Sequence, residues 1–181
     1  IKSSYMYLSW LAIIKGDTNL FHNYQAKINS TGSSLVGSDK EAQNQFSNKV
    51  IPNVDLLKAR LLYDGGYYNR SLQILKNISF PNNTDEKLEW VYRKAINYEK
   101  LGMIDLAEEY FILSYKLGKS KPYYFAAKSA VHLAQIYDKR NNTASANEYF
   151  QKCIDLENHE YEQSLEQKAK AGLNRIKISN P

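Results

Sequence analysis

Apolar residues recur along most of this chain at intervals of three and four, the spacing that gives an α-helix one buried face. Three segments share a pattern of helix, short turn, helix: LLKARLLYDGGYYNRSLQILKNI (56–78), YRKAINYEKLGMIDLAEEYFILS (92–114) and HLAQIYDKRNNTASANEYFQKCI (132–154). Each second helix carries a small residue (Ser71, Ala107, Ala146) and a large apolar one four places later (Leu75, Phe111, Phe150). A smaller member follows three beyond that, at Ile78, Ser114 and Cys153. Five places before the small residue stands Gly66, Gly102 or Asn141, types that tolerate the left-handed backbone of a helix-ending turn. The small residue lets the two helices approach, and the bulky one fills the space beside them. Each pair keeps an open apolar face, so the pairs are expected to stack.

The regions around these copies follow the same logic. Residues 1–28 read as a more diverged helix pair turning at Gly16–Asp17, with Phe21 at the small-residue place. Residues 29–53 read as a loop insertion whose SDKEAQNQFSN stretch forms a short helix with Ser38 as N-cap, and Pro52 ends the insertion. Residues 54–157 hold the three repeats. SFPNNTDE (79–86) and LGKSKPYY (117–124) connect them, both with the residue types of loops. Residues 158–181 supply a polar-faced C-terminal capping helix. Opening on Ile1 rather than methionine, the chain is expected to be a piece of a longer protein.

The three copies resemble the tetratricopeptide repeat, an antiparallel helix pair of about 34 residues. Their spacing here is longer, 36 residues from Ser71 to Ala107 and 39 from Ala107 to Ala146. Lys58 and Lys94 occupy the repeat's usual Leu place, and Ala59, Ala95 and Ala134 its usual Gly place. IPNVDLLKARLLYDGGYYNRSLQIL and EQKAKAGLNRI are similar to bacterial tetratricopeptide proteins of the Bacteroidetes type, and more distantly to the mitochondrial-inclusion repeat family of fungi and animals. The resemblance implies an all-α fold, a tetratricopeptide-like α-solenoid of stacked antiparallel helix pairs with a capping helix. It also implies an adaptor-like scaffold, continued upstream by more repeats, and no catalytic residues.

Composition narrows the function classes. Of 181 residues, 43% are apolar, enough to bury a core, and only four are proline and eight glycine, too few for many short strands joined by tight turns. No apolar run approaches the roughly 20 residues of a membrane span. The net charge of +5 is spread over lysines interleaved with acids, which argues against nucleic acid as a partner. The single cysteine excludes an internal disulfide and a cysteine-based zinc site, and Cys153 is expected to be a buried, inert thiol. His22, His132 and His159 have no second histidine at ligand spacing, so no metal is expected. Gly65–Gly66 follows no strand and fits no phosphate loop. Neighbouring acids such as Glu108–Glu109 diverge by about 100° on a helix and cannot flank a substrate together. No catalytic set and no cofactor site is read from the sequence.

What remains is a surface for a protein or peptide. The groove positions of the repeat fall on Arg60, Tyr63, Tyr92, Arg93, His132 and Gln135, with Lys128 and Lys139 nearby. Arginine and tyrosine together give large contact area with a polar handle, and they suit an acidic or C-terminal peptide carboxylate. The Lys/Asn clamp by which some such proteins hold chaperone tails is not reproduced, because Arg60, Ile96 and Gln135 take its Asn-bearing place. The competing expectation is that these side chains solvate the groove or pair with Glu89, Glu99 and Asp138. The alternatives to a peptide-binding scaffold are an assembly module, packing on upstream repeats or another copy, and a regulatory domain of a larger protein.

Overall fold

The computed structural model describes residues 1–49, 51–79 and 81–179. Val50, in the expected insertion, Phe80, in the first inter-repeat connection, and Asn180 and Pro181, at the end of the expected cap, lie outside the described residues. Among the described residues all regular structure is helical: α1 (Lys2–Ile14), α2 (Thr18–Ser30), α3 (Gly37–Ser47), α4 (Val54–Asp64), α5 (Tyr68–Asn77), α6 (Thr84–Lys100), α7 (Ile104–Gly118), α8 (Phe125–Lys139), α9 (Thr143–Ile154) and α10 (Glu162–Ser179). None of these helices is long and apolar enough to cross a membrane. The chain divides into two compact units, Ile1–Lys58 and Ala59–Pro181.

In the first unit α1 and α2 pack side by side and α3 lies against both. Buried Lys2 ties the three together, its ammonium donating to the Ile28 carbonyl at 2.5 Å and to Gln43 Oε1 at 2.8 Å. Both acceptors are needed, since an ammonium taken out of water without partners is costly. Phe21, which stands where the other second helices carry a small residue, is itself buried. Ser9, with no exposed surface, supplies the small contact from α1 and accepts a hydrogen bond from Gln25 Nε2. The short helix of the insertion forms, but Ser38 is not its N-cap. Val36 holds that position without a side-chain bond, and Ser38 lies inside the first turn. Asp39 is the residue with a structural task there: its carboxylate accepts the Ser3 backbone N–H at 2.8 Å and so fastens α3 to the start of α1.

The second unit is built from neighbours in sequence. From α5 to α10 each helix packs on the next, and α6 also touches α8, as α8 touches α10. Ser71 Oγ donates to the Ala59 carbonyl at 2.8 Å, closing α5 onto the middle of α4. Ala59, Ala95 and Ala134 on the first helices and Ser71, Ala107 and Ala146 on the second have essentially no exposed surface, so the pairs meet at their small residues. Leu75, Phe111 and Phe150 are fully buried four places on.

One turn is repeated through the chain. Gly66, Gly102 and Asn141 all have positive φ, at 82°, 75° and 56°, as does Gly16 at 80°. Behind each, the next residue donates its N–H five places back: Asp17 to Ala12, Tyr67 to Leu62, Met103 to Tyr98 and Asn142 to Tyr137. This is the Schellman closure, which satisfies carbonyls that the end of a helix leaves open. The same closure at residues 16–17 makes 1–28 a helix pair of the same local construction.

Candidate functional site

The structure divides the six groove candidates, all of which lie in the second unit. Tyr92 is 3% and Arg93 4% exposed, because α6 is covered by α5, α7 and α8. The Tyr92 ring packs among Phe111, Tyr124 and Phe125, and burial pushes its hydroxyl well above the ordinary range. Arg93 lies along Glu89, its Nε and Nη2 at 2.6 and 2.5 Å from Oε1. Both are core side chains, and the guanidinium of Arg93 is already paired.

Arg60 and Tyr63, at the end of α4, are half-buried. Arg60 lies 3.8 Å from Asp64, and Tyr63 tilts against Tyr68. Burial, with the charge of Glu99 next, pushes the Tyr63 hydroxyl up to about 12. Lys128, one turn into α8, extends over the Tyr124 ring at 5.0 Å. Its ammonium is held below the ordinary lysine range by burial and then by the charges of Lys168, Arg60 and Arg93.

His132 and Gln135 are brought together in a cavity of about 550 Å³. Its walls are Glu99 and Lys100 from the end of α6, His132, Gln135 and Lys139 from α8, and the first residue of α7, Ile104. Ile136 adds apolar surface and Arg140 the rim. The His132 ring stacks on buried Phe111, centroids 4.7 Å apart and planes 9° from parallel, and its Nδ1 lies 2.9 Å from Glu99 Oε2. Burial alone would raise the Glu99 carboxyl. The bond to His132 and the charges of His132, Lys100 and Lys139 outweigh it and hold the group below its ordinary value. Arg140 is already engaged, with Nη1 at 2.5 Å from Glu108 and Nη2 at 2.6 Å from Asp105. Lys100 and Lys139 have no carboxylate at ion-pair distance among the described residues, and Gln135 has no hydrogen-bond partner there.

Glu89 and Asp138 serve as counter-ions to Arg93 and to Arg175 of α10, and Glu99 lies at hydrogen-bond distance from His132. Sequence reasoning missed Lys100, Ile104, Ile136 and Arg140 as cavity residues. One signal was available: Lys100 and Lys139 both stand seven places before the small residue of their pair, Ala107 and Ala146. Cys153 is 1% exposed, its thiol directed at the Leu165 carbonyl, and burial pushes its pKa up to about 12. Among the described residues no three His, Cys, Asp or Glu side chains gather as metal ligands. Comparison of the chain with family models, curated proteins and solved structures finds no match.

Proposed function

We propose that the chain is a non-enzymatic helical-repeat scaffold of tetratricopeptide type, stacked as a short solenoid, that binds an extended segment of a partner protein. One observation carries the reading: helix pairs closed by the same turn at the same register leave, between α6, α7 and α8, a cavity lined by His132 and Gln135. About 550 Å³ falls within the range of ligand sites, and an amide beside aliphatic walls suits a peptide backbone and its side chains. The binding surface then centres on His132 and Gln135 rather than on Tyr92 and Arg93. A peptide array probed with the purified protein should retain a subset of extended sequences, and Gln135→Ala should reduce retention with an unchanged melting temperature. Failure to retain any peptide would remove the reading.

A second reading, an assembly module, has its own observation. Tyr7, Leu11 and Leu20 of the first unit are 49%, 50% and 38% exposed, and the first two stand one turn apart on α1. Sedimentation at increasing concentration should then reveal self-association that Leu11→Glu abolishes, whereas the peptide-binding reading expects no effect of that change on peptide capture.

A further inference from the structure

The cavity holds more cationic charge than it uses internally. Its carboxylate, Glu99, is bound to His132, and its guanidinium, Arg140, is occupied by Glu108 and Asp105. Lys100 and Lys139 remain, one at the end of each of two neighbouring first helices, in equivalent register on the walls of one cavity. Beside them lie an amide with no side-chain partner among the described residues, Gln135, and two isoleucines, Ile104 and Ile136.

We propose that this cavity reads an acidic side chain within an extended partner peptide, an Asp or Glu flanked by an aliphatic residue. Deepening the peptide-binding reading, and resting on it, the assignment gives each wall a task. The two ammonium groups take the carboxylate from either side. The Gln135 amide, both donor and acceptor, takes the C=O and N–H of the peptide backbone beside it. The isoleucines bury the aliphatic neighbour. Glu99, held below its ordinary value and so ionised at neutral pH, offsets one of the two ammonium charges and leaves about one to be met by the ligand, the charge of a single carboxylate. The pairing of an exposed ammonium with carboxylate is charge-assisted and weakens with salt.

The lysines also have a plain structural use, since cations in the last turn of a helix complement its open carbonyls. The test must separate the two uses. The whole chain is titrated with four capped fluorescent peptides that share aliphatic flanks and differ at the centre: Glu, Gln, phosphoserine and Lys. A fifth peptide has a Gln centre and a free C-terminal carboxylate. The expected result is that the Glu peptide binds about tenfold more tightly than the Gln peptide. The Lys peptide should bind no better than the Gln one, and the phosphoserine and free-carboxylate peptides less tightly than the Glu one. Lys100→Gln and Lys139→Gln, both exposed and safe for folding, should each remove about three- to tenfold of the Glu preference, and Lys119→Gln, an exposed lysine outside the cavity, none of it. Peptides that bind without preference for the acid, or a preference the two variants leave intact, would overturn the assignment and leave peptide binding standing. A phosphoserine or terminal carboxylate preferred over Glu would also overturn it. Absence of binding by every peptide here and on the array overturns both.

Discussion

Gly172 has no room for a methyl group. A Cβ there would sit 2.3 Å from Cζ of Phe150 and 2.6 Å from both Cε atoms, and that ring is 1% exposed in the core of α8, α9 and α10. Gly172→Ala should cost about 1–3 kcal/mol in urea denaturation, because a packed ring must move. Ala107→Leu and Ala146→Leu should cost a similar amount, for the same reason, at the small-residue contacts of their pairs. Glu99 offers a different kind of test. A carboxyl held below its ordinary value stabilises the fold above that value and loses the contribution as pH falls through its folded one. The stability gap between the protein and Glu99→Gln should therefore be full at about pH 6 and shrink toward about pH 3, when denaturation is followed across that window. For Cys153 the raised pKa and burial have one consequence: a thiol reagent at about pH 8 should react slowly in the native state and rapidly once urea unfolds the chain.

At the scale of the helix pair, the left-handed turn residue and the small residue five places later belong together. The turn fixes where the second helix starts, and the small residue lies where that start brings the helices into contact. Asn141 holds this position at φ 56° without being glycine. Asn141→Gly should be neutral or stabilising by up to about 1 kcal/mol, and Asn141→Val should destabilise by more than that, since a branched residue resists this backbone. This part of the fold was legible in the sequence because it is local: residue type, register and turn lie within one pair. Lys94 shows that residue type alone does not decide burial. In the place where the repeat usually has leucine, it is 7% exposed, with its stem buried and its ammonium 3.8 Å above the Trp90 ring. A lysine there fills a core position, as its alkyl chain allows. Tyr92 and Arg93, expected on the groove, are likewise buried. The expectation of a wet groove face assumes a helix with one exposed side, and from Trp90 to Tyr98 α6 has none. The cavity was only half legible, through His132 and Gln135. Ile104 reaches it from a different helix, and nothing in a helix's own periodicity tells which neighbour will stand across from it.

The whole second unit is a chain of near neighbours, each helix from α5 onward packing on those one or two places along. Contacts of this kind make stability approximately a sum of pair and interface terms, so damage at one end is expected to stay there. The cap illustrates the point. α10 sets Gly172 against Phe150, bonds Arg175 to Asp138 of α8, and receives the Cys153 thiol from α9 at Leu165. It faces α8 as α8 faces α6, where Glu99 and His132 make the corresponding link between helices. Loosening α10 therefore removes the outer support of α8 and α9 but leaves α6 its contacts with α5 and α7. Native-state hydrogen exchange on Gly172→Ala should show protection falling most in α10 and α9, less in α8, and least in α6. A unit that unfolds as one cooperative body would instead lose protection by the same amount throughout. The same experiment reports on the cavity. Glu99 and Lys100 lie on the protected side and Gln135 and Lys139 on the weakened one, so the variant should bind peptide less well before any loss of helix in α6 is seen.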